Sequence, residues 1–475
     1  MSSLLNRIRT AVLSIVIVTA AGCAVGPKYV RPPVDQPAHF KSEPTDNAAP
    51  LIAPEWWRLY NDTELDGLIA SAHASNQVLQ QAVAAVDQAR ALTRVARSYL
   101  YPSIALHPDF LRQRLSANRL SSITGQTVPN GAIINDWLVP VDLAYEVDIW
   151  GRIRRSVESA AAQAAASADD LAMVRLTIET DVGLAYFTLR ALDAQTQILT
   201  QTVEAYREQV RLLSAQLRSG LVSPIVVYQA QAQLEATLAQ LDDTQRARAD
   251  QEHALAILCG SPASSFAIAP DPMYETSPPV VPAGLPAQLL VRRPDVVAAE
   301  HNVVATNAQI GVAIASLYPA FSLTSFAGFE SADPSTLFNW QSRIAAIAPS
   351  FLAPIFEGGR LKANVEASRA LYRESVAAYV NQVLIAYADV ENALTDLHAL
   401  SDEVANLRAA VSASQNYLQL AQVQYRNGLV DYLIVIDAER TLLANQLLLS
   451  QTMNLQIGAG IRLIKALGGG WENRP

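Results

Sequence analysis

Two periods of apolar residues alternate along this chain. From Arg152 to Ser219 the sequence has no proline and only Gly183 as an interruption; from Arg360 to Asn427 it has neither glycine nor proline. In the first run Leu189, Thr196, Val203 and Val210 recur every seven residues, beside Leu192, Leu199, Tyr206 and Leu213. In the second, Leu397, Val404, Val411 and Leu418 do the same, with Leu400 and Leu407 alongside. This spacing lays apolar side chains along one seam of a helix. At 1.5 Å per residue each run predicts a helix of about 100 Å. The other period is two. In "VPVDLAYEVD", Val139, Val141, Leu143, Tyr145 and Val147 point one way, and Asp142, Ala144, Glu146 and Asp148 the other. That is a strand with one apolar and one polar face, long enough to cross a bilayer. "SIALHPDFLRQR" after Pro102, "AFSLTSFAGFE" after Pro319 and "SRIAAIAPSFLAP" before Phe356 are weaker strands of the same kind. The pattern thus predicts two hairpins, four strands in all. Four strands cannot close a membrane barrel, which starts at about eight, so a membrane role requires several copies of the chain.

The chain also repeats itself. "GRI" at Gly151 returns as "GRL" at Gly359, and "RSGLVSPIVVYQAQA" at Arg218 returns as "RNGLVDYLIVIDAER" at Arg426, both 208 residues later. "YPSIAL" at Tyr101 returns as "YPAFSL" at Tyr318. The division expected is a leader over 1–22, a first repeat over 23–268, a proline-rich linker over 269–291, a second repeat over 292–467 and a tail over 468–475. The extra length of the first repeat falls in "SANRLSSITGQTVPNGAIIND", which reads as an exposed loop.

The duplicated turn has a physical reading. Gly220 and Gly428 suit the left-handed position that ends a helix, and Arg218 and Arg426 sit in the last turn, where cations are favoured. Ser223 reads as an N-cap with Pro224 at the first helical position, and Asp431 as the matching N-cap. Each copy is then a helix stop, a short loop and a helix start. Only the second copy carries an acid, Asp437, where the first has Gln229.

Charge and cysteine content narrow the compartment. With 35 basic and 44 acidic residues the chain has no basic footprint for nucleic acid. The start, "MSSLLNRIRTAVLSIVIVTAAGC", has the charged and apolar regions of an export signal, too short to span a membrane. "AAGC" resembles the lipobox of bacterial lipoproteins, with Ala in place of the usual Leu, and implies cleavage before Cys23 and acylation of that cysteine. The alternative is ordinary signal cleavage with an inert Cys23. Ala24 in the next position favours sorting to the outer membrane. Cys259, in "LAILCG", reads as a small buried hydrophobe, and one spare cysteine builds no disulfide framework.

At this point the residues resemble a known family. "CAVGPKYVRP" at Cys23, "EWWRLYNDTELDGLI" at Glu55, "RRPDVVAAEHNVVATNAQIGVAIASLYPAFSLT" at Arg292 and "PIFEGGRLKA" at Pro354 resemble signatures of the TolC-like outer-membrane efflux channels. The resemblance is to the lipoprotein subunits of resistance-nodulation-division (RND) pumps. It covers nearly the whole mature chain. It implies a mainly α protein with a membrane β-barrel portion: a homotrimer whose twelve strands, four per chain, form one barrel. A long α-helical periplasmic barrel and a mixed α/β equatorial belt would continue it. The implied partners are a periplasmic adaptor and an inner-membrane RND-type pump. The resemblance implies no cofactor beyond the lipid on Cys23 and no chemistry. By the same resemblance the hairpin tips Gly220, Leu221, Val222, Gly428, Leu429 and Val430 dock the adaptor. Asp437, Ile434 and Tyr425 form the periplasmic gate, and Asp142, Glu146 and Asp148 face the barrel lumen. The sequence departs from its relatives at Ile434, where some carry a second acid, at Val430 in place of a gate arginine, and at Val226 in place of a polar partner.

Other readings remain beside this one. A protein-export duct of the type I secretion kind shares the fold, and a lipid-anchored periplasmic coiled coil shares the helices. For an enzyme, the six histidines, His39, His73, His107, His253, His301 and His398, show no metal-ligand spacing, and the chain has no nucleophile elbow or phosphate loop.

Overall fold

The computed structural model describes residues 24–41, 53–116, 133–273, 277–279 and 289–471. The leader, Cys23, most of the loop after Ser116, much of the linker and the last four residues lie outside them. The helices are α1 (Thr63–Ser75), α2 (Gln77–Ser98), α3 (Arg152–Arg218), α4 (Pro224–Leu258), α5 (Pro294–Ala315), α6 (Arg360–Arg426) and α7 (Tyr432–Ala466). The two uninterrupted runs are helices of 67 residues each, as their composition predicts. The strands are β1 (Ser103–Leu106), β2 (Asp109–Arg114), β3 (Ile133–Val147), β4 (Ala320–Ser331) and β5 (Arg343–Leu352). The chain forms two compact units, and neither is one of the sequence halves. One comprises 1–32, 87–166 and 300–378; the other comprises 33–86, 167–299 and 379–475.

The first unit holds the sheet. All its pairings are antiparallel, in the order β1–β3–β4–β5, with β2 also on β3. β1 and β2 lie along successive stretches of β3, Ser103 opposite Ala144 and Arg114 opposite Ile133. They occupy one strand position, broken at His107–Pro108, because proline has no N–H for the ladder. The single strand expected there is therefore two pieces, and the sheet is four positions wide. Residues directly opposite share a face, so the register sorts the side chains. Ile104, Leu106, Val141, Leu143, Tyr145, Leu323 and Ile347 fall on one side; Asp142, Glu146, Ser322, Thr324 and Ser350 fall on the other. Pro140 sits inside β3, opposite Gly328. A Cβ on Gly328 would lie 2.1 Å from the Val139 carbonyl oxygen and 2.7 Å from the Pro140 Cα, so only glycine lets β4 pass there. In the same unit Tyr29 donates to Glu300 Oε1 at 2.9 Å and Arg31 Nε to the same oxygen at 2.7 Å, which fixes the "GPKYVRP" segment on α5.

The second unit is built around buried aromatics. Trp56, Trp57 and Tyr60 of the "EWWRLY" segment pack with Ile69, Tyr186, Leu189, Leu255 and Ile461. Asp62 caps α1 by accepting from Glu64 N at 2.9 Å and Leu65 N at 3.1 Å, and its other oxygen accepts from the Tyr186 hydroxyl at 2.7 Å. Along α3, Leu189, Leu199, Val203, Tyr206 and Leu213 are all buried. Each full side-chain burial is worth about 1.5–3 kcal/mol. Asp193 is buried between Arg190 (2.9 Å) and Arg248 (2.6 Å). In "RRPDV", Pro294 and Asp295 occupy the first turn of α5, as expected. The stronger feature is Arg293, which is buried and pairs with Asp295 (2.7 Å) and with Asp389 of α6 (2.9 Å). Cys259 is fully buried, and burial pushes its thiol pKa up, as suits a packing residue rather than a nucleophile.

Candidate functional site

Both hairpin tips are built by the same hydrogen bonds. At the first, Gly220 N donates to Leu217 O and Leu221 N to Gln216 O, each at 2.9 Å, with Gly220 at φ 71°. At the second, Gly428 N donates to Tyr425 O and Leu429 N to Gln424 O, again at 2.9 Å, with Gly428 at φ 69°. This is the Schellman arrangement, which satisfies the last carbonyls of a helix and requires a left-handed residue. Ser223 then caps α4 by accepting from Ile225 N at 3.3 Å. Asp431 holds the N-cap position of α7, but its side chain makes no capping bond; its backbone carbonyl accepts from Ile434 N at 3.1 Å. α7 thus starts with a backbone bond and no side-chain cap, contrary to the carboxylate cap expected at Asp431.

Side chains from both tips share a small core. Leu213, Val227, Ala230, Ala421, Tyr432, Val435, Ile436 and Ala438 are buried together, with Val222 and Tyr425 against them. Tyr425 stacks its ring at a tilt on Tyr432, centroids 5.2 Å apart. Leu221 and Leu429 stay outside, 74% and 72% exposed. A leucine at this place in a Schellman turn commonly packs back on its own helix; at this exposure neither does so to any extent. Val430 is half-buried.

The residues expected at the gate divide. Leu433, Ile434 and Asp437 lie three and four residues apart on the exposed face of α7. Tyr425 belongs to the core behind that face. Asp437 has a partner that the sequence reading missed: the Tyr417 hydroxyl of α6 donates to its Oδ2 at 3.1 Å. The two residues lie at nearly equal distances on either side of the turn, which is the signal that could have found the pair. The inward side of α7 carries a second acid, Glu439, whose pKa is pushed up to about 7 by burial.

The three acids expected at the lumen are each engaged. Asp142 meets His107 Nδ1 at 2.5 Å. Glu146 is held by Arg152 through Nε at 2.9 Å and Nη2 at 2.6 Å. Asp148 departs from the alternation that put it on the polar face. β3 ends at Val147, and the Asp148 carboxylate caps α3, accepting from Ile153 N at 3.1 Å and Arg154 N at 2.9 Å. The orphan N–H groups of a helix start attract a nearby carboxylate.

The sequence profile of the family described as "Outer membrane efflux protein" matches residues 68–261 and 285–469. The chain belongs to this family. Among similar members, the toluene efflux pump outer membrane protein TtgF of Pseudomonas putida is 32% identical, over 98% of each chain. The cation efflux system protein CusC of Escherichia coli is 30% identical over 96% of this chain and 98% of its own. The solved structure of the outer-membrane channel OprN superposes with a TM-score of 0.86 at 28% identity, over 94% of this chain and all of that one. One profile match falls in each half of the chain, so both halves carry the efflux-protein pattern, hairpin tips included.

Proposed function

We propose that this efflux protein is the outer-membrane exit duct of a three-part pump, passing small molecules from the periplasm to the outside without chemistry of its own. The sheet carries the reading. It is four strand positions wide, has one apolar and one polar face, and is open along β1/β2 and β5 among the described residues. In a bilayer each unpaired backbone group costs several kcal/mol, so both edges need partner strands. Three copies supply twelve, enough for one closed barrel. Asp142 and Glu146 then line the lumen, and Asp148 holds the rim where β3 passes into α3. An acyl chain on Cys23 anchors each copy. The helices continue the duct through a mixed α/β belt, and the tips receive the adaptor through Leu221 and Leu429, the apolar side chains left open there. The inner-membrane pump supplies energy and most of the substrate choice.

Across the axis of a trimer, three copies of Asp437 form a ring with Ile434 as an apolar collar. Like charges at close range attract cations. The test is single-channel conductance of the full-length protein in planar bilayers, run beside its migration on gels with and without heating. We expect a heat-sensitive trimer, steady conductance, and block by multivalent cations that Asp437→Ala removes. A monomer that conducts nothing overturns the duct; a trimer whose block is untouched by Asp437→Ala overturns the ring alone.

A further inference from the structure

Glu439 has no part in the reading above. It lies two residues past Asp437, which on a helix places it toward the opposite side. There it is half-buried against α3 and α6, beside a cavity of about 210 Å³. Its one direct hydrogen bond among the described residues is long, from Gln209 Nε2 of α3 at 3.4 Å. The titratable and charged groups around it are few. Tyr206, 3% exposed, faces it from α3, with Gln233 of α4 beside that phenol. Tyr432, 6% exposed, and Arg440 come from α7 itself, Arg440 on its exposed side. Leu418 and Gln422 of α6 carry no charge. Among the described residues no cation forms an ion pair with Glu439. The equivalent position in the first hairpin is Gln231, which is exposed and neutral.

An ionised carboxylate in such a place is costly, because water has been replaced by apolar groups and one long N–H bond. The neutral acid is not, since it can remain in the helix interface as a polar but uncharged group. Burial therefore pushes its pKa up from 4.5 to about 7. The neighbouring phenols of Tyr206 and Tyr432 are raised as well, by burial first and then by Glu439, so they stay neutral throughout.

We propose that Glu439 is the proton-sensing residue of the hairpin tips: protonated, it holds α7 packed on α3, and ionised, it drives the second hairpin outward. The structural part stands on the packing of α3, α6 and α7; its consequence for transport rests on reading the tips as the mouth of the duct. The direction follows from the sign of the shift. The packed arrangement is fully favoured below the ordinary carboxylate range and loses favour as pH rises toward 7. Above that the ratio stays constant. Acid closes the tips and neutral pH loosens them, with a change in the packed-to-open ratio on the order of 100-fold across that window.

The experiment uses the full-length trimer in detergent, spin-labelled at Leu221→Cys and Leu429→Cys, both exposed, with tip-to-tip distances measured from pH 4.5 to 8.5. We expect a longer-distance population that grows with pH between the ordinary carboxylate range and about 7 and is flat above it. Glu439→Gln, isosteric with the protonated acid, should hold the short distance at every pH, and Asp437→Asn should titrate like the parent. A distance that ignores pH, or a Glu439→Gln protein that titrates like the parent, overturns the proposal. Conductance measured over the same pH range separates the two readings. If the distance titrates through Glu439 while conductance stays flat, the sensor stands and the tips are not the mouth.

Discussion

The two hairpin tips have one backbone and two surfaces. Both close with the same pair of 2.9 Å bonds around a left-handed glycine, and both leave a leucine in water. Beyond the turn they part. At the helix start Pro224 stands opposite Tyr432, Gln229 opposite Asp437 and Gln231 opposite Glu439; Tyr228 is 69% exposed where Ile436 is buried. The first tip starts its helix with residues suited to that task, a capping serine and a proline. The second starts without either, drawing instead on tertiary contacts, and so is free to carry an aromatic anchor and two acids. Duplication has kept the part that stops a helix and released the part that follows it.

The sharpest way to break this comparison is to remove the anchor. Tyr432→Ala should destabilise the second tip by about 3–5 kcal/mol, seen as faster hydrogen exchange over the start of α7, while Pro224→Ala changes exchange in α4 far less. Tyr432→Phe should be neutral or stabilising, since the hydroxyl is buried with no hydrogen-bond partner among the described residues. Equal losses from Tyr432→Ala and Pro224→Ala would show that both tips lean on the shared core alike. Next come the glycines. Gly220→Ala and Gly428→Ala should each cost about 1 kcal/mol, because both sit at positive φ. Matched losses in exchange at the two turns support a common backbone, and a large inequality refutes it. The caps separate the tips again by a smaller margin. Ser223→Ala should cost about 0.5–1 kcal/mol, whereas Asp431→Ala should cost close to nothing, since no side-chain bond is lost. Amide protection in the first turns of α4 and α7 reads this directly. The smallest effect is expected for Tyr417→Phe. It removes the hydrogen bond to the exposed Asp437, worth under about 1 kcal/mol. Stability should hardly move, and only cation block of conductance should change.

Much of this was legible in the residues. Seven-residue spacing and the absence of proline located both long helices to within a residue of their ends. Strict alternation gave the later part of β3 and its two faces; its first residues, 133–136, were read as the end of the exposed loop and instead pair with β2. What the sequence concealed depended on contacts between distant positions. The break at His107–Pro108 was visible as a proline but not as two strands sharing one neighbour. Asp148 continued the alternation by position and left it because a helix start lay four residues on. Asp431 looked like a cap by residue type, yet capping depends on a side-chain rotamer that the pattern does not encode. Glu439 gave no signal, because "DAER" reads as a solvated helix face until α3 is laid against it. The "RRPDV" stretch was recognisable as a signature; that Arg293 carries its structural weight, through Asp389 some 96 residues away, was not.

The compact units do not follow the duplication. Each takes segments from both halves, so the two repeats are laced through one another rather than set side by side. Neither half holds a complete folding unit of its own. A half expressed alone should fail, while two half-chains made separately carry between them every segment that both units need. The cut that separates the two repeats in sequence therefore runs through both units at once.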